Sequence, residues 1–125
     1  MSAKVLTSLD IRKVGAKEWQ LLAPLIVLVV IDGKSYLIRV PPGFVTDFAS
    51  VPRLPLAFFL FGGIGDLSAT VHDWLYYTCE YPREVCDAIF RELLRCVDGA
   101  SAFRANGMYA GVRVGGSKFY APSTD

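Results

Sequence analysis

The sequence predicts a single α+β domain over residues 1–125, in which N-terminal antiparallel strands and hairpins are followed by two to three helices packed on one face of the sheet. Three observations predict this class. The 125 residues are enough for one domain with a sizeable core. Apolar, β-rich runs occupy the first third of the chain, and they include a strong hairpin turn. Capped helical patterns appear only in the second half.

Two stretches near the N-terminus have the composition of strands. Val5 to Val14 alternates weakly between apolar and polar residues, and Gly15 to Glu18 provides a turn. Trp19 to Ile31 is predicted as one further strand. Within it, Pro24 indicates a bulge or an edge position, because proline cannot donate a backbone hydrogen bond.

Asp32-Gly33 is the strongest short hairpin signal in the chain, because an Asp-Gly pair suits a two-residue turn between antiparallel strands. The β-rich run Tyr36 to Val40 is the predicted return strand, and Pro41-Pro42-Gly43 ends it. Phe44 to Gly65 is predicted to be irregular. Its glycine cluster lacks the Lys-Ser/Thr pair that a phosphate-binding loop requires.

Helices are expected in the second half of the chain. They are predicted from Asp66 or Ser68 to about Cys79, from Pro82 to about Val97, and from Ser101 towards Val112. Asp and Ser side chains cap helix N-termini, and proline fits the first helical position. Asp98-Gly99 supplies a stop for the second helix.

Charge and hydropathy exclude several partners and locations. Thirteen Lys+Arg and 12 Asp+Glu give a net charge of +1 without a basic block, so no nucleic-acid partner is predicted. The longest apolar run, Leu21 to Ile31, is about half of the roughly 20 residues that a membrane helix needs, so no membrane span is predicted. Met1 to Asp10 shows no signal-peptide pattern, which predicts a protein that stays in the cytoplasm or is assembled there.

Cysteine content and apolar content carry two further expectations. Three cysteines without a Cys-x-x-Cys pair predict buried reduced thiols, not a disulfide framework or a zinc site. Apolar residues make up 53% of the chain, and 11 glycines add to that share. Because a domain of this size does not need so many, part of the excess is expected to cover an interface, and an oligomer is possible.

His72 is the one histidine of the chain, and it is followed directly by Asp73. Neighbouring side chains on a helix point about 100° apart, so these two cannot share one catalytic hydrogen bond. Asp87 on the next helix and Asp47 in the irregular segment are the candidate partners of the imidazole. A carboxylate-oriented imidazole can act as a general base on water, and Asp73 or Asp47 could hold a divalent cation. The alternative is a buried network that ties the helix to the irregular segment.

The segment Gly43 to Arg53 is a second constellation of polar residues. Thr46, Asp47 and Ser50 can satisfy backbone donors in a tight turn or cap a short helix, and Arg53 could pair with an acid. That interpretation is turn chemistry alone. The functional alternative is that Asp47 faces the histidine.

These residues also resemble a known family. Gly43 to Arg53, then His72 to Tyr76, then Asp87 with Phe90 three residues on, together resemble the domain of unknown function family 1353. The resemblance covers roughly Val40 to Arg95. It implies a bacteriophage or prophage origin, because the family is common there as small stand-alone proteins, and it implies no particular activity.

The helix pair alone is similar to the catalytic helices of phospholipases A2, in which His-Asp-x-x-Tyr is followed by an aspartate on the next helix. That likeness implies His72 as the base, Asp73 as a calcium ligand and Asp87 as the residue that orients the histidine. The flanking disulfides and the glycine-rich calcium loop of those enzymes have no counterpart in this sequence.

The sequence therefore suggests two functions. The first is a bacteriophage virion component, a tail or tail-tip accessory subunit, whose partners are other phage structural proteins. It would be located in the virion, or in the host cytoplasm before assembly. The second is a small hydrolase of lipid or cell wall that acts in entry or lysis, with His72 as its base and Ca²⁺ as a possible cofactor. An inhibitor of a host protein is a third, lesser alternative.

Overall fold

A computed structural model describes residues 2–16, 18–46, 66–117 and 120 of the chain. Within them the α+β prediction is confirmed, because antiparallel strands in two small sheets precede three packed helices. The strands are β1 (Ser2–Val5), β2 (Ile11–Lys13), β3 (Trp19–Leu21), β4 (Leu25–Ile31), β5 (Lys34–Val40) and β6 (Val45–Thr46). The helices are α1 (Asp66–Thr78), α2 (Arg83–Cys96) and α3 (Ala102–Gly115).

The predicted hairpin joins β4 to β5. Asp32 and Gly33 both have positive φ angles, 51° and 77°, as a two-residue turn that follows the twist of the strands requires. The two strands pair in register from Ile31 opposite Lys34 to Leu25 opposite Val40, and β1 pairs antiparallel with the other edge of β4. This three-stranded sheet has the order β1-β4-β5.

The prediction of one continuous strand from Trp19 to Ile31 is wrong. The chain leaves β3 after Leu21 and enters β4 at Leu25, and the two strands belong to different sheets. Pro24 lies in the break between them and is neither a bulge nor an edge residue within a strand. Val5 to Val14 is likewise divided, between β1 in the first sheet and β2 in the second, which has the order β2-β3-β6.

The helices cover one face of the sheet formed by β1, β4 and β5. Inward side chains alternate along its strands, so that Val27, Val29, Ile38 and Val40 are buried whereas Leu37 is 62% exposed. Helix α2 contacts β1 and β4, and α1 contacts β5. A second apolar cluster lies beneath α3, where buried side chains of α1 and α2 pack on those of α3; its residues are Ala69, Phe90, Leu94, Ala100, Ala105, Met108 and Val112.

The start of α1 is capped by a residue that follows α2. The helix begins at Asp66, and Ser68 is not its cap: Ser68 donates both its backbone N–H (3.0 Å) and its hydroxyl (2.5 Å) to Asp98 Oδ2. An anionic acceptor suits a helix N-terminus, where backbone N–H groups have no partner within the helix. Gly99, with φ of 73°, then turns the chain away from α2. Ser101 caps α3 as predicted, because its hydroxyl accepts from the Arg104 N–H at 3.1 Å.

The structure also bears on the cysteines and on the length of the helices. All three cysteines are free thiols, as predicted, but only Cys86 is buried; Cys79 is half-buried and Cys96 is exposed. No helix in the described part of the chain is long and apolar enough to cross a membrane.

Replacing Asp98 tests the cap that joins the first two helices. We expect Asp98→Ala to lower the free energy of unfolding by about 1 kcal/mol, because Ser68 loses its acceptor. Asp98→Asn keeps an acceptor oxygen and should lose less than half as much. Burial raises the pKa of Asp98, although the hydrogen bonds from Ser68 oppose that shift. The buried carboxylate charge therefore carries a free-energy cost, which the neutral asparagine amide avoids. Urea denaturation at pH 7 gives the comparison, and equal losses in both variants would contradict the cap.

Candidate functional site

The candidate site lies where α1 faces α2. His72 Nε2 is 2.7 Å from Asp87 Oδ1, and both side chains have 0% relative exposure. The connection between Thr78 and Arg83 is short, so α1 and α2 pack against each other. This packing places His72 beside Asp87, which is one of its two candidate partners from the sequence. The structure therefore brings the histidine and the aspartate of the second helix into direct hydrogen-bond contact.

Asp87 receives further hydrogen bonds on both carboxylate oxygens. The hydroxyl of Tyr76 donates to Oδ1 at 2.6 Å, and Arg113 Nη1 from the last turn of α3 donates to Oδ2 at 2.8 Å. The Arg83 guanidinium is 3.7 Å from the same Oδ2. Because a buried carboxylate is costly unless it is paired and hydrogen-bonded, this set of donors explains how Asp87 is tolerated inside the protein.

The surroundings of Asp87 keep it ionised. Burial raises the pKa of its carboxyl, but the hydrogen bonds from His72, Tyr76 and Arg113 outweigh burial and hold the pKa below its ordinary value. Burial and the bond to Asp87 raise the pKa of Tyr76, so the phenol stays protonated and remains a donor. The carboxylate also raises the pKa of Arg113, which stays charged.

Arg83 joins α2 to the end of α3. Its Nη1 donates to the carbonyl oxygen of Val112 at 3.0 Å, and its Nη2 is 3.3 Å from the carbonyl oxygen of Arg113. A cation at the last carbonyls of a helix interacts favourably with the negative end of the helix dipole. The guanidiniums of Arg83 and Arg113 thus supply positive charge beside Asp87, which does not depend on an imidazolium for its counter-charge.

No residue in the described part of the chain is a hydrogen-bond partner of the second ring nitrogen of His72. Tyr76 and Arg113 are obligate donors towards Asp87, and the carboxylate likewise takes the Nε2 proton of His72. This hydrogen-bond pattern places a proton on Nε2, so in the neutral ring Nδ1 carries the lone pair. Nδ1 is buried, and residues 2–16, 18–46, 66–117 and 120 offer it no hydrogen-bond partner. Buried polar atoms are nearly always satisfied, so an exception is a candidate for chemistry.

Aromatic rings fix the plane of the imidazole. The ring of Tyr76 lies 4.1 Å from that of His72, and the ring of Phe90 lies 4.7 Å from it. Tyr76 is four residues after His72, and Phe90 is three residues after Asp87, so each partner projects from the same helix face as the residue it supports. These spacings explain why Tyr76 and Phe90 accompany His72 and Asp87 in the motif.

Asp47 and Asp73 are the other two site residues that the sequence predicted. Asp47 lies outside the described residues. Asp73 Oδ2 accepts a 2.5 Å hydrogen bond from the hydroxyl of Thr46, which ties α1 to β6. Among the described residues no three His, Cys, Asp or Glu side chains come together as a metal site. The described residues do not by themselves form a calcium site at Asp73, which stays a prediction from the resemblance.

The two arginines were missed by the sequence analysis. Arg83 lies four residues before Asp87, a spacing at which opposite charges meet on a helix, so its position carried a usable signal. Arg113 is 26 residues from Asp87 along the chain. Only the packing of α3 on α2 brings these two together, and no local pattern could indicate that contact.

Comparison with known proteins identifies a family but no characterised relative. A family model described as "Protein of unknown function (DUF1353)" matches residues 19–112, which include β3 to β6 and all of the site except Arg113. No curated protein and no solved structure matches the chain.

Replacing Asp87 tests the network. Asp87→Ala leaves a cation and two buried polar groups without their acceptor, and we expect it to lower the free energy of unfolding at pH 7 by about 3–5 kcal/mol. Because the folded-state pKa of Asp87 lies below its unfolded value of about 3.9, its contribution is present above that pH and disappears as the pH falls through the folded value.

Urea denaturation across this pH range measures both effects. The stability difference between wild type and Asp87→Ala should shrink as the pH falls from about 5 through the folded-state pKa of Asp87. A difference that grows on acidification would contradict the assignment.

Proposed function

We propose that this protein, which belongs to the DUF1353 family, is a small hydrolase in which His72 is the general base. The observation that carries the proposal is the contrast between the two ring nitrogens: Nε2 lies 2.7 Å from a buried carboxylate, and Nδ1 has no hydrogen-bond partner among the described residues. An imidazole held in one tautomer by a carboxylate is the arrangement that general-base catalysis uses.

The proposed reaction uses both ring nitrogens of His72. Nδ1 of His72 accepts a proton from a water molecule, and the water oxygen forms a bond to the carbonyl carbon of an ester or amide. When the tetrahedral intermediate collapses, the bond to the leaving group breaks and the proton on Nδ1 passes to the departing oxygen or nitrogen. Asp87 stabilises the imidazolium that exists between these two steps, and it stays ionised throughout. The proposed substrates are lipid or cell-wall esters and amides.

Access to Nδ1 is the requirement that distinguishes this function from a purely structural one. The His72 side chain has 0% relative exposure, so water must reach Nδ1 through local opening of the surrounding structure. Because His72 is the single histidine, carbethoxylation by diethyl pyrocarbonate reports on this one side chain in an untagged protein. The proposal expects modification of the folded protein, and it expects a substrate analogue that binds at the site to slow the modification.

The substitution His72→Gln separates catalysis from stability. A glutamine amide N–H can still donate to Asp87, but it has no basic nitrogen. We expect hydrolysis of lipid or cell-wall substrates to fall by about 10²–10⁴-fold, as for the loss of a general base. The change in melting temperature should be far smaller than that caused by Asp87→Ala. The measurement is initial rates on a panel of esters and amides, with thermal denaturation of the same samples.

Asn106→Gln on the exposed surface of α3 serves as the matched control and should leave both readouts unchanged. A hydrolytic activity that survives in His72→Gln would overturn the proposal. So would wild-type protein whose histidine resists diethyl pyrocarbonate until the chain unfolds.

A second candidate function is a tail or tail-tip accessory subunit of a bacteriophage virion. The observation that favours it is the same burial of His72, because a sealed imidazole bonded to the buried Asp87, which also binds Arg113, can hold three helices together. Under this function His72→Gln changes stability modestly and abolishes no reaction. Other phage structural proteins would then be the partners, and the protein would occur in virions or, before assembly, in the host cytoplasm.

Mass spectrometry of purified virions from a phage that encodes this chain tests the second candidate. The expected result is the protein at a stoichiometric ratio to known tail proteins, both in wild-type virions and in virions that carry His72→Gln. Virions that lack the protein and infect normally would exclude a structural role in the particle.

A further inference from the structure

Gly116 directly follows the last residue of α3 and lies against the hydroxyl of Tyr76. It is buried, and its backbone N–H donates to the carbonyl oxygen of Val112 at 2.9 Å. The same carbonyl oxygen accepts from Arg83 Nη1 at 3.0 Å. A Cβ atom at Gly116 would stand 2.9 Å from the Tyr76 hydroxyl oxygen and closer still to the Val112 carbonyl oxygen. Because non-bonded heavy atoms pack farther apart than this, a side chain here would displace the tyrosine, the end of the helix or both.

Space, and not backbone conformation, is what requires a glycine at this position. Gly116 has φ of −85° and ψ of −13°, which is right-handed backbone that residues with side chains also adopt. Gly99, by contrast, has φ of 73°, in the left-handed region that favours glycine. The missing side chain of Gly116 therefore serves the close approach of α3 to α1.

This close approach bears directly on Asp87. The Tyr76 hydroxyl, which Gly116 contacts, donates to Asp87 Oδ1 at 2.6 Å. Arg113, three residues before Gly116 at the same end of α3, donates to Asp87 Oδ2 at 2.8 Å. Tyr76 and Arg113 can reach one carboxylate together only if the end of α3 lies close to α1. A donor to each oxygen of Asp87 therefore depends on how closely the helix end packs at Gly116.

We infer that Gly116 is a positioning residue of the His72–Asp87 site, where it holds the Tyr76 hydroxyl on the carboxylate by letting the end of α3 close against it. Tyr76 in turn supports the imidazole, because its ring lies 4.1 Å from that of His72. Gly116 has a part in catalysis only if the proposed function holds. The contact itself can be tested without a substrate, whereas the activity of His72→Gln tests the proposed function separately.

The hydroxyl proton of Tyr76 reports on this contact by NMR. A hydroxyl that donates to a buried carboxylate makes a short, charge-assisted hydrogen bond, which shifts its proton downfield and slows its exchange with water. The signal is assigned by its absence from Tyr76→Phe. We expect Gly116→Ala to raise the exchange rate of this proton at least about tenfold, because the added methyl group moves the hydroxyl away from Asp87. Ser117→Thr adds a methyl group at the exposed next residue and should leave the rate unchanged.

A double-mutant cycle separates the contact with Tyr76 from damage to the end of α3. Tyr76→Phe removes the oxygen that the new methyl group would meet. Gly116→Ala should therefore lower the urea midpoint less than half as much in that background as in the wild type. If Gly116→Ala alone fails to fold, the double variant should still fold. An unchanged hydroxyl signal in Gly116→Ala, equal losses in the two backgrounds, or a double variant that also fails to fold would each contradict this role of Gly116.

Discussion

The buried carboxylate of Asp87 is the constraint on which the arrangement of the three helices depends. A carboxylate with no exposure to water requires donors, and it draws His72 and Tyr76 from α1 and Arg113 from α3 to within hydrogen-bond distance. Arg83 extends the network by binding the last carbonyls of α3. The apolar clusters around this centre are non-directional, whereas the hydrogen bonds to one carboxylate fix how the helices are rotated against one another.

The same interaction decides what His72 can do. Two guanidiniums beside Asp87 supply positive charge, and the imidazole contributes a buried hydrogen bond to the same carboxylate. The rings of Tyr76 and Phe90 pack against the imidazole, and in the neutral ring its second nitrogen has a lone pair. Catalysis and structural locking both use the bond between His72 and Asp87. They differ in whether Nδ1 meets a water molecule or substrate during the life of the folded protein.

Much of the fold and half of the site could be predicted from the sequence. The Asp32-Gly33 turn and the cap at Ser101 follow from local spacing, because turn geometry and helix capping act over a few residues. Asp87 was one of two candidate partners of His72, and the packing of α1 on α2 brings these two together. The division of Trp19 to Ile31 between two sheets could not be predicted, because a continuous apolar run looks the same in one strand or two. The contacts of Asp98 with Ser68 and of Arg113 with Asp87 join distant parts of the chain, and only tertiary packing creates them.

The most direct test of the central claim is the ring ¹⁵N spectrum of His72 in protein labelled at histidine, where the single histidine leaves no ambiguity of assignment. At neutral pH the account predicts a neutral ring with its proton on Nε2 and a bare Nδ1, and replacement of Asp87 should abolish this preference. A proton on Nδ1, or protons on both nitrogens at neutral pH, would contradict the account, because no lone pair would then remain to accept a proton from water.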